Sequence, residues 1–496
     1  MSLKLSKEQI LKCFQKSKVC NEEDTWLCVL CAKKIKQRKG CGFSNLRSHI
    51  LIVHPNYQIS ESSTLNINNY IRPKSSNVYG WVKKVVLNCQ PLCIVENPIE
   101  LEFTNLKPIC RQTLRCAIVN TAKEVRSVIS AKLPSKFCIC FDAWTENKNH
   151  FVGIYAIHND DYNNSVNLLL GFTTLLDESN WTAQNYADTI IYILESFGKS
   201  IINVICLVGD NCNTNKRLAN ILNLPLIGCA SHKLNLAVEN YLEDFTVIKV
   251  INQLMTKLAA PLKLATLRKS TALRPIIRNA TRWSSCFDMI ERFFAIKDYL
   301  NTTDTDIAAL MPNQVQILQL GHILEELRLL NELTIYLQKS TLNLANVRKC
   351  FDKVSSKHSN MKKYLDVNSP IVHCPYFDSG IIKVLEGNEE QLNDEEKQLI
   401  SKLLRNEGKT EPSTVTFCNS HRNPYIIQSP SVVVSKYMDL NFIPPTSNIE
   451  ERLFSLSKRV YNDHRRSLDN SILEDIIFLN QNNDLWSADT VDKSIK

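Results

Sequence analysis

Apolar residues are distributed along the chain in two patterns, which change near residue 233. Between residues 137 and 230, short apolar runs rich in β-branched and aromatic residues alternate with helical segments. This order predicts three strands in a meander, a helix, a fourth strand, a helix and a fifth strand. From residue 233 to 354, apolar residues recur three and four positions apart, which predicts long helices. The sequence therefore predicts an α/β sheet domain that is interrupted by an all-α region.

Two of the predicted strands lead directly into a carboxylate. The apolar run 137–141 is followed by Asp142, and the run 205–209 is followed by Asp210. Because α/β sheets place ligands at the carboxyl ends of their strands, both acids are candidate site residues. For either Asp alone, the alternative is a strand cap or a turn former. The first predicted strand ends at Asp142 within the stretch 136–146, and the other four span 151–158, 165–175, 203–208 and 226–230. A helix is predicted over 182–197.

The remaining helices are predicted in two groups. Near the C-terminus, Pro445 and Ser447 mark a helix start with Glu450 and Glu451 in its first turn. Acidic residues at that position usually complement the helix dipole. A second amphipathic helix carries Ile472, Ile476, Ile477 and Leu479. The helices of the all-α region are predicted over 233–242, 248–267, 281–300, 314–338 and 341–354.

Residues 26–55 contain four side chains with the spacing of a zinc site. Cys28 and Cys31 lie on a tight knuckle, and His49 and His54 lie about one turn apart on a predicted helix. Two thiolates and two imidazoles are a common tetrahedral shell for structural zinc. Cys41, a spare thiol in the intervening loop, is a weaker candidate ligand. That loop is basic and contains Lys33, Lys34, Lys36, Arg38 and Lys39.

Charge and composition narrow the class of protein. Most of the net charge of +9 is N-terminal, because residues 1–60 hold eleven Lys and Arg against four Asp and Glu. Such a basic segment is typical of proteins that bind a polyanion, most often nucleic acid, although a solvated basic surface has the same composition. The sequence has no apolar run of about 18 residues, so membrane insertion and secretion are not expected. The 18 cysteines are therefore expected to be reduced thiols with a few metal ligands.

Two shorter motifs add candidate site residues. Arg282 and Trp283 stand at a predicted helix start, where Trp283 could stack on an unpaired base while Arg282 holds a phosphate. A buried structural Trp is the alternative. Cys229 and His232 have the spacing of half a zinc site, but no second ligand pair at zinc spacing accompanies them.

Taken in order, these motifs resemble the hAT superfamily of DNA transposases. The N-terminal motif resembles a BED zinc finger, with a leading Trp26 and a helix that ends at His54 and Pro55. The other matching motifs are Asp142-x-Trp144-Thr145, Gly209-Asp210-Asn211 with Asn215, Cys229-x-x-His232, Thr281-Arg282-Trp283, Ser447-x-x-x-Glu451-Arg452-x-Phe454-Ser455, Arg465-Arg466-x-Leu468 and Phe478-Leu-Asn480.

The resemblance implies an architecture. It is an RNase H-like α/β core interrupted by an all-α insertion domain, with a small N-terminal zinc finger. The implied domains are a BED-type finger (1–60), a linker and small helical region (61–133), the first part of the core (134–244), the helical insertion (245–430), and the completion of the core with the hAT dimerisation region (431–496). In this fold the first and fourth strands lie side by side.

The resemblance also implies a mechanism. Asp142, Asp210 and Glu451 would be the catalytic acids, with the adjacent Glu450 as the alternative to Glu451. Mg²⁺ or Mn²⁺ would assist cleavage at transposon ends, hairpin formation on flanking DNA and strand transfer into target DNA. Trp283 falls where the family stabilises a flipped-out base, and Cys229 and His232 would support the active site. The expected partners are double-stranded DNA and a second copy of the chain, in the nucleus. The alternative is a host-adopted, non-catalytic regulator that binds DNA through its finger.

Overall fold

The structure is a computed structural model that describes residues 14–19, 23–28, 31, 33–38, 43–54, 72–146, 148–279, 282–405, 435–461 and 468–495. The chain divides into two compact units, residues 1–70 and residues 71–496. Several residues of the sequence motifs lie outside the described residues: Lys39, Cys41, Pro55, Thr281, Arg465 and Arg466.

The N-terminal unit contains a small antiparallel sheet and one helix. The sheet has the order β1 (Phe14–Val19), β2 (Glu23–Cys28) and β3 (Lys34–Arg38), and it is followed by α1 (Ser44–Val53). Phe14, Cys28, Leu46 and Ile50 form its apolar core. The predicted helix with Leu46 and Ile50 on its inner face is therefore confirmed, whereas none of the three strands was predicted.

The second unit is built on a five-stranded mixed sheet with the order β6-β5-β4-β7-β8. Strands β4 and β7 pair in parallel, as do β7 and β8, and the other pairs are antiparallel. The predicted adjacency of the first and fourth strands of this region is thus observed. The strands are β4 (Phe137–Glu146), β5 (Asn149–Asn159), β6 (Ser165–Thr174), β7 (Val204–Gly209) and β8 (Leu226–Gly228).

Helices surround this sheet and extend beyond it. Those that precede or follow its strands are α2 (Pro73–Leu87), α3 (Pro98–Glu102), α4 (Arg111–Lys132), α5 (Ala183–Ser196), α6 (Asn213–Leu222) and α7 (Ala230–Glu243). The helices after α7 in the chain are α8 (Thr246–Leu258), α9 (Pro261–Leu267), α10 (Ser284–Ile296), α11 (Thr305–Ala308), α12 (Gln314–Leu337), α13 (Leu344–Lys357), α14 (Lys362–Leu365), α15 (Pro375–Leu385), α16 (Asp394–Leu399), α17 (Asn448–Val460), α18 (Asn470–Gln481) and α19 (Ala488–Ser494). Short 3₁₀ turns cover Leu92–Glu96, Ile201–Asn203, Lys297–Tyr299, Ser359–Met361, Glu389–Gln391, Ser401–Leu403 and Asn483–Leu485.

Helices cover both faces of the sheet. Gly171 of β6 faces Ile193 of α5, whereas Gly153 of β5 faces Leu453 of α17. Gly153 pairs with Phe172, the neighbour of Gly171, and successive strand residues point to opposite faces. Helices α5 and α17 therefore lie on opposite sides of the sheet, which explains why its strands are apolar on both faces.

The helical region has a core of its own, which runs from Ala230 to Leu365. The following segment returns to the sheet, because Phe377, Ile381 and Leu403 belong to the sheet core. The helix predicted over 248–267 is broken at Pro261, where α9 begins, since proline lacks the backbone N–H that a continuous helix needs. Helix α2 begins at Pro73, inside a stretch predicted to be a linker. No helix among the described residues is both long and apolar enough to cross a membrane.

Candidate active site and metal centre

Asp142 and Asp210 are brought together by the parallel pairing of β4 and β7. The last register pair of these strands is Cys140 with Val208. Asp142 and Asp210 each lie two residues further along, so the register brings them close together, and the charge of Asp210 helps to raise the pKa of Asp142. The proximity of the two acids predicted from sequence is thus built into the strand pairing.

Asp142 lies inside β4 and not at its end, which corrects the sequence prediction. The strand continues to Glu146 because β4 pairs with β5 as far as the Glu146–Asn149 hairpin. Its parallel neighbour β7 has already ended at Gly209. Burial, and then the negative charge of Asp210, raise the pKa of Asp142 to about 7, with a smaller contribution from Glu451. A backbone N–H bond from Ala143 acts in the opposite direction.

Both residues of the Cys-x-x-His motif support this edge of the sheet. His232 places Nδ1 3.3 Å from Oδ2 of Asp210. Burial raises the pKa of Asp210, and the charges of His232 and Arg282 oppose that shift. Cys229 is buried, and its Sγ accepts a hydrogen bond from the backbone N–H of Ser447 at 3.3 Å. One residue of the motif therefore contacts an acid, and the other contacts the segment that precedes α17.

Helix α17 starts at a junction of the sheet and the helical region. The backbone N–H of Ala230 donates to the carbonyl of Pro445 at 2.9 Å. The side-chain amide of Asn448 donates to the carbonyl of Leu337, at the end of α12, at 3.2 Å. Further along α17, the ring of Phe454 stacks on Trp144 of β4, with centroids 6.0 Å apart. These contacts fix the first turn of α17 against the sheet edge that carries the two Asp residues.

Glu450 and Glu451 point in different directions from that turn, because successive helix residues are about 100° apart. Glu450 is completely buried, and within the described residues neither carboxylate oxygen has a hydrogen-bond partner. A Cβ added at Gly153 would lie 2.1 Å from Oε2 of Glu450. Gly153 pairs with Asp142, so the Glu450 carboxylate lies over Gly153 and next to Asp142. Burial, followed by the charge of Asp142, raises the pKa of Glu450.

Glu451 is half exposed and pairs with Arg282, whose Nη2 lies 3.1 Å from Oε1 of Glu451. This pair joins α17 to the segment before α10 in the helical region. Trp283, the next residue, is only 3% exposed and belongs to the helical core. Its position is that of the structural Trp that the sequence left as an alternative to base stacking.

Four acidic residues, Asp142, Asp210, Glu450 and Glu451, lie near one another at this edge of the sheet. Glu450 is buried beside Asp142, and the charges of Asp210 and Glu451 both raise the pKa of Asp142. The oxygens of these acids are further apart than the ligands of a preformed metal site. In the described part of the chain, the finger quartet is the one group of three or more His, Cys, Asp or Glu residues whose ligand atoms all lie within 4.8 Å of one another. Carboxylate oxygens are the ligands that Mg²⁺ and Mn²⁺ prefer. The pKa of Asp142, which the charges of Asp210 and Glu451 help to raise, therefore fits a site that a divalent cation would stabilise.

The N-terminal unit forms a second candidate metal centre. Sγ of Cys28 lies 3.6 Å from Nε2 of His54, and Sγ of Cys31 lies 3.3 Å from Nε2 of His49. All four ligand atoms lie within 4.8 Å of one another, which suits tetrahedral zinc. Burial lowers the pKa of His49, which favours the neutral imidazole that a metal requires. The quartet predicted from sequence is therefore brought together.

The basic residues predicted to form a loop lie partly in β3, because this strand covers Lys34–Arg38. Lys33, Lys34 and Lys36 are exposed, and Arg38 is the last residue of β3. A role of the loop in binding DNA stays a prediction.

Sequence reasoning missed the glycines that make room for polar groups. Gly153 accommodates Glu450, and Gly228 accommodates Asn211, because a Cβ at Gly228 would lie 1.7 Å from Oδ1 of Asn211. Asn211 is buried next to Asp210, and within the described residues its Nδ2 has no partner. A glycine inside an apolar strand signals a close approach of another group, but it does not identify that group.

We expect Gly153→Ala to destabilise the protein. The new Cβ would also lie 2.6 Å from Cδ2 of Leu453, so α17 must shift away from β5. Overpacking of this kind costs about 1–3 kcal/mol, which a lower thermal midpoint would report. Gly321→Ala is the matched control, because a Cβ there meets nothing within 4 Å and Gly321 lies inside α12. The control should be neutral or stabilising. Equal midpoints for Gly153→Ala and the wild type would contradict this account of the site.

We expect the purified protein to hold about one zinc ion per chain. Cys28→Ser should lose that zinc, because it removes a buried thiolate ligand. Cys93→Ser, at an exposed cysteine of the second unit, should retain it. Elemental analysis of the dialysed proteins measures both. Full zinc content in Cys28→Ser would exclude the quartet as the binding site.

Comparisons with known proteins agree with part of this description. Residues 433–483 match the family model of the hAT family C-terminal dimerisation region. This segment contains all of α17 and α18, including Glu450 and Glu451. No curated protein matches the chain. The match supports membership of the hAT family and an ability to self-associate.

Proposed function

We propose that this protein is a DNA transposase of the hAT type, acting in the nucleus on transposon ends and target DNA. The observation that carries the proposal is the set of acids at one sheet edge. Asp142 and Asp210 are aligned by the β4–β7 register, and α17 brings Glu450 and Glu451 to them from a hAT-matched segment. The strand order of the sheet, with β4 beside β7, is the order expected for an RNase H-like core.

Asp142, Asp210 and Glu451 are the residues that would hold divalent cations. When bound, Mg²⁺ or Mn²⁺ activates the attacking water or hydroxyl and stabilises the leaving oxygen in phosphodiester cleavage. The protein supplies positioning. His232 orients Asp210, and Arg282 orients Glu451. The Arg282 side chain is 65% exposed, so it is also accessible to a DNA phosphate.

Glu451 is the better candidate for the third acid. Its carboxylate is half exposed, and its charge contributes to the raised pKa of Asp142. Glu450 is inaccessible behind it and fills the space above Gly153. In this interpretation Glu450 fixes the position of α17, while Glu451 faces the substrate side.

The N-terminal unit would bind the transposon ends. Its Cys and His quartet, its α1 helix and the exposed lysines before β3 and within it are consistent with a BED-type zinc finger. Lysines of this kind would contact DNA phosphates and make binding strongly dependent on salt.

A non-catalytic, DNA-binding derivative is the second candidate function. The Arg282–Glu451 ion pair favours it, because an acid that is already neutralised by Arg282 binds a cation less readily. The finger and the self-association region would both still serve such a protein.

A strand-cleavage assay separates these two functions. The full chain is incubated with Mn²⁺ and with DNA from the inverted repeats that flank its gene. We expect nicking by the wild type, loss of at least 100-fold in Asp210→Ala and Glu451→Gln (on the order expected when metal ligation fails), and a smaller loss in Glu450→Gln. Asp161→Asn is the control, because Asp161 is exposed in the β5–β6 turn at the opposite sheet edge.

Two outcomes would overturn parts of this proposal. Nicking that survives Asp210→Ala would remove the acids from the reaction, and absence of nicking by the wild type would favour the non-catalytic candidate. A greater loss in Glu450→Gln than in Glu451→Gln would exchange the roles of the two glutamates.

We also expect Asp142→Asn to stabilise the protein at pH 8 when no divalent ions are added. The pKa of Asp142 rises from 3.8 to about 7 on folding, so the folded state holds a proton that the unfolded state releases between these values. Stability contributed by this group therefore falls as pH rises from about 4 to 7. The variant should melt higher than the wild type at pH 8 and equally at pH 4.

Mn²⁺ provides the complementary measurement. It should raise the thermal midpoint of the wild type at pH 8, because a cation offsets the crowded negative charge, and it should have little effect on Asp142→Asn. Asp161→Asn should behave as the wild type. If Asp142→Asn is less stable than the wild type at pH 8, the ionised Asp142 carboxylate does not destabilise the folded protein, and this prediction is wrong.

A further inference from the structure

Trp181 is unusual among the tryptophans of this chain. All six lie within the described residues, and Trp181 is the one that is more than half exposed, at 52%. One face of its indole stacks on the imidazole of His150, with centroids 4.3 Å apart and an interplanar angle of 18°. The other face of the indole can stack on another planar group. Trp181 and His150 therefore form a stacking platform.

The platform is held rigidly. Nδ1 of His150 hydrogen-bonds Oγ1 of Thr145 at 2.8 Å, and Nε2 of His150 hydrogen-bonds the hydroxyl of Tyr186. The indole N–H of Trp181 donates to the carbonyl of Glu178 at 3.2 Å. Both rings therefore have a fixed orientation before any ligand arrives, so little conformational entropy is lost on stacking.

The platform lies at the same end of β4 as Asp142, on the other face of the sheet. His150 pairs with Thr145 across the β4–β5 hairpin, and Thr145 lies three residues after Asp142 on β4. At about 3.3 Å per strand residue, the Thr145 backbone is roughly 10 Å from the backbone of Asp142. Because strand residues alternate between faces, Thr145 and His150 lie on the α5 face of the sheet, whereas Asp142 faces α17. Burial chiefly raises the pKa of Tyr186 to about 12, and the charges of Cys212 and Asp142 add to that shift.

We propose that Trp181, backed by His150, stacks on an unpaired nucleobase of the DNA strand that passes Asp142. The proposal rests on the proposed function for the identity of that strand. Trp283 offers no comparable surface, because it is 3% exposed. The residues around Trp181 from Glu178 to Thr182 are exposed and polar, so the site presents one ring and not the broad apolar patch of a protein interface.

The test compares DNA binding with and without a base. The full chain is titrated, without divalent ions, against a duplex with a single-stranded thymidine overhang and against the same duplex with an abasic overhang. Stacking of one base contributes about 1–3 kcal/mol, so the wild type should prefer the thymidine overhang by about tenfold. Trp181→Ala should abolish this preference without changing affinity for the abasic probe, and Trp181→Phe should retain most of it.

Tyr162→Ala is the matched control. Tyr162 is 85% exposed in the β5–β6 turn, at the opposite edge of the same sheet, and its loss should leave the preference unchanged. A full preference in Trp181→Ala, or an equal loss of affinity for both probes, overturns the proposal. The measurement is independent of cleavage: a base preference that depends on Trp181 supports the platform even if the wild type does not nick DNA, whereas nicking without such a preference overturns the platform alone.

Discussion

The parallel register of β4 and β7 is the constraint on which the rest of the site depends. It places Asp142 beside Asp210 two residues beyond the last paired residues, so two negative charges meet at a partly buried edge. A register slip of β7 would break its backbone pairing with both β4 and β8, so two neighbouring strands fix the position of its last residues. The strand pairing therefore holds the two carboxylates together although their charges repel each other. After burial, this repulsion is the next largest cause of the raised pKa of Asp142.

The second constraint is the junction where α17 begins. More than 200 residues separate Cys229 from Ser447, yet the thiol accepts the N–H of Ser447. Asn448 ties the same turn to the end of α12, in a separate apolar core. The helical region is thus an external support for the turn that carries Glu450 and Glu451. A change in that region can alter the position of an acid without any contact with it.

The sequence predicted the five strands of the second unit, most helices and the zinc quartet because these depend on local periodicity and spacing. It did not predict that β4 would continue past Asp142, since a hairpin with β5 is a tertiary choice. The division of roles between Glu450 and Glu451 depends on which of two adjacent residues faces Gly153, and nothing local decides it. The burial of Trp283 depends likewise on a core assembled from several helices, so exposure of a tryptophan could not be inferred from its motif.

The hAT-matched segment has a structural role that precedes any association between chains. Six apolar residues of α18, from Ile472 to Leu479, are at most 2% exposed within the single chain, where they pack in the sheet core. Arg126 of α4 reinforces this packing, with Nη2 2.9 Å from Oδ1 of Asp475 and its guanidinium 4.5 Å from the Phe478 ring. Removal of the segment would therefore expose the sheet and detach Glu451 from Asp142. Loss of self-association after such a truncation would follow from loss of the fold, so only substitutions of exposed residues can isolate the interface.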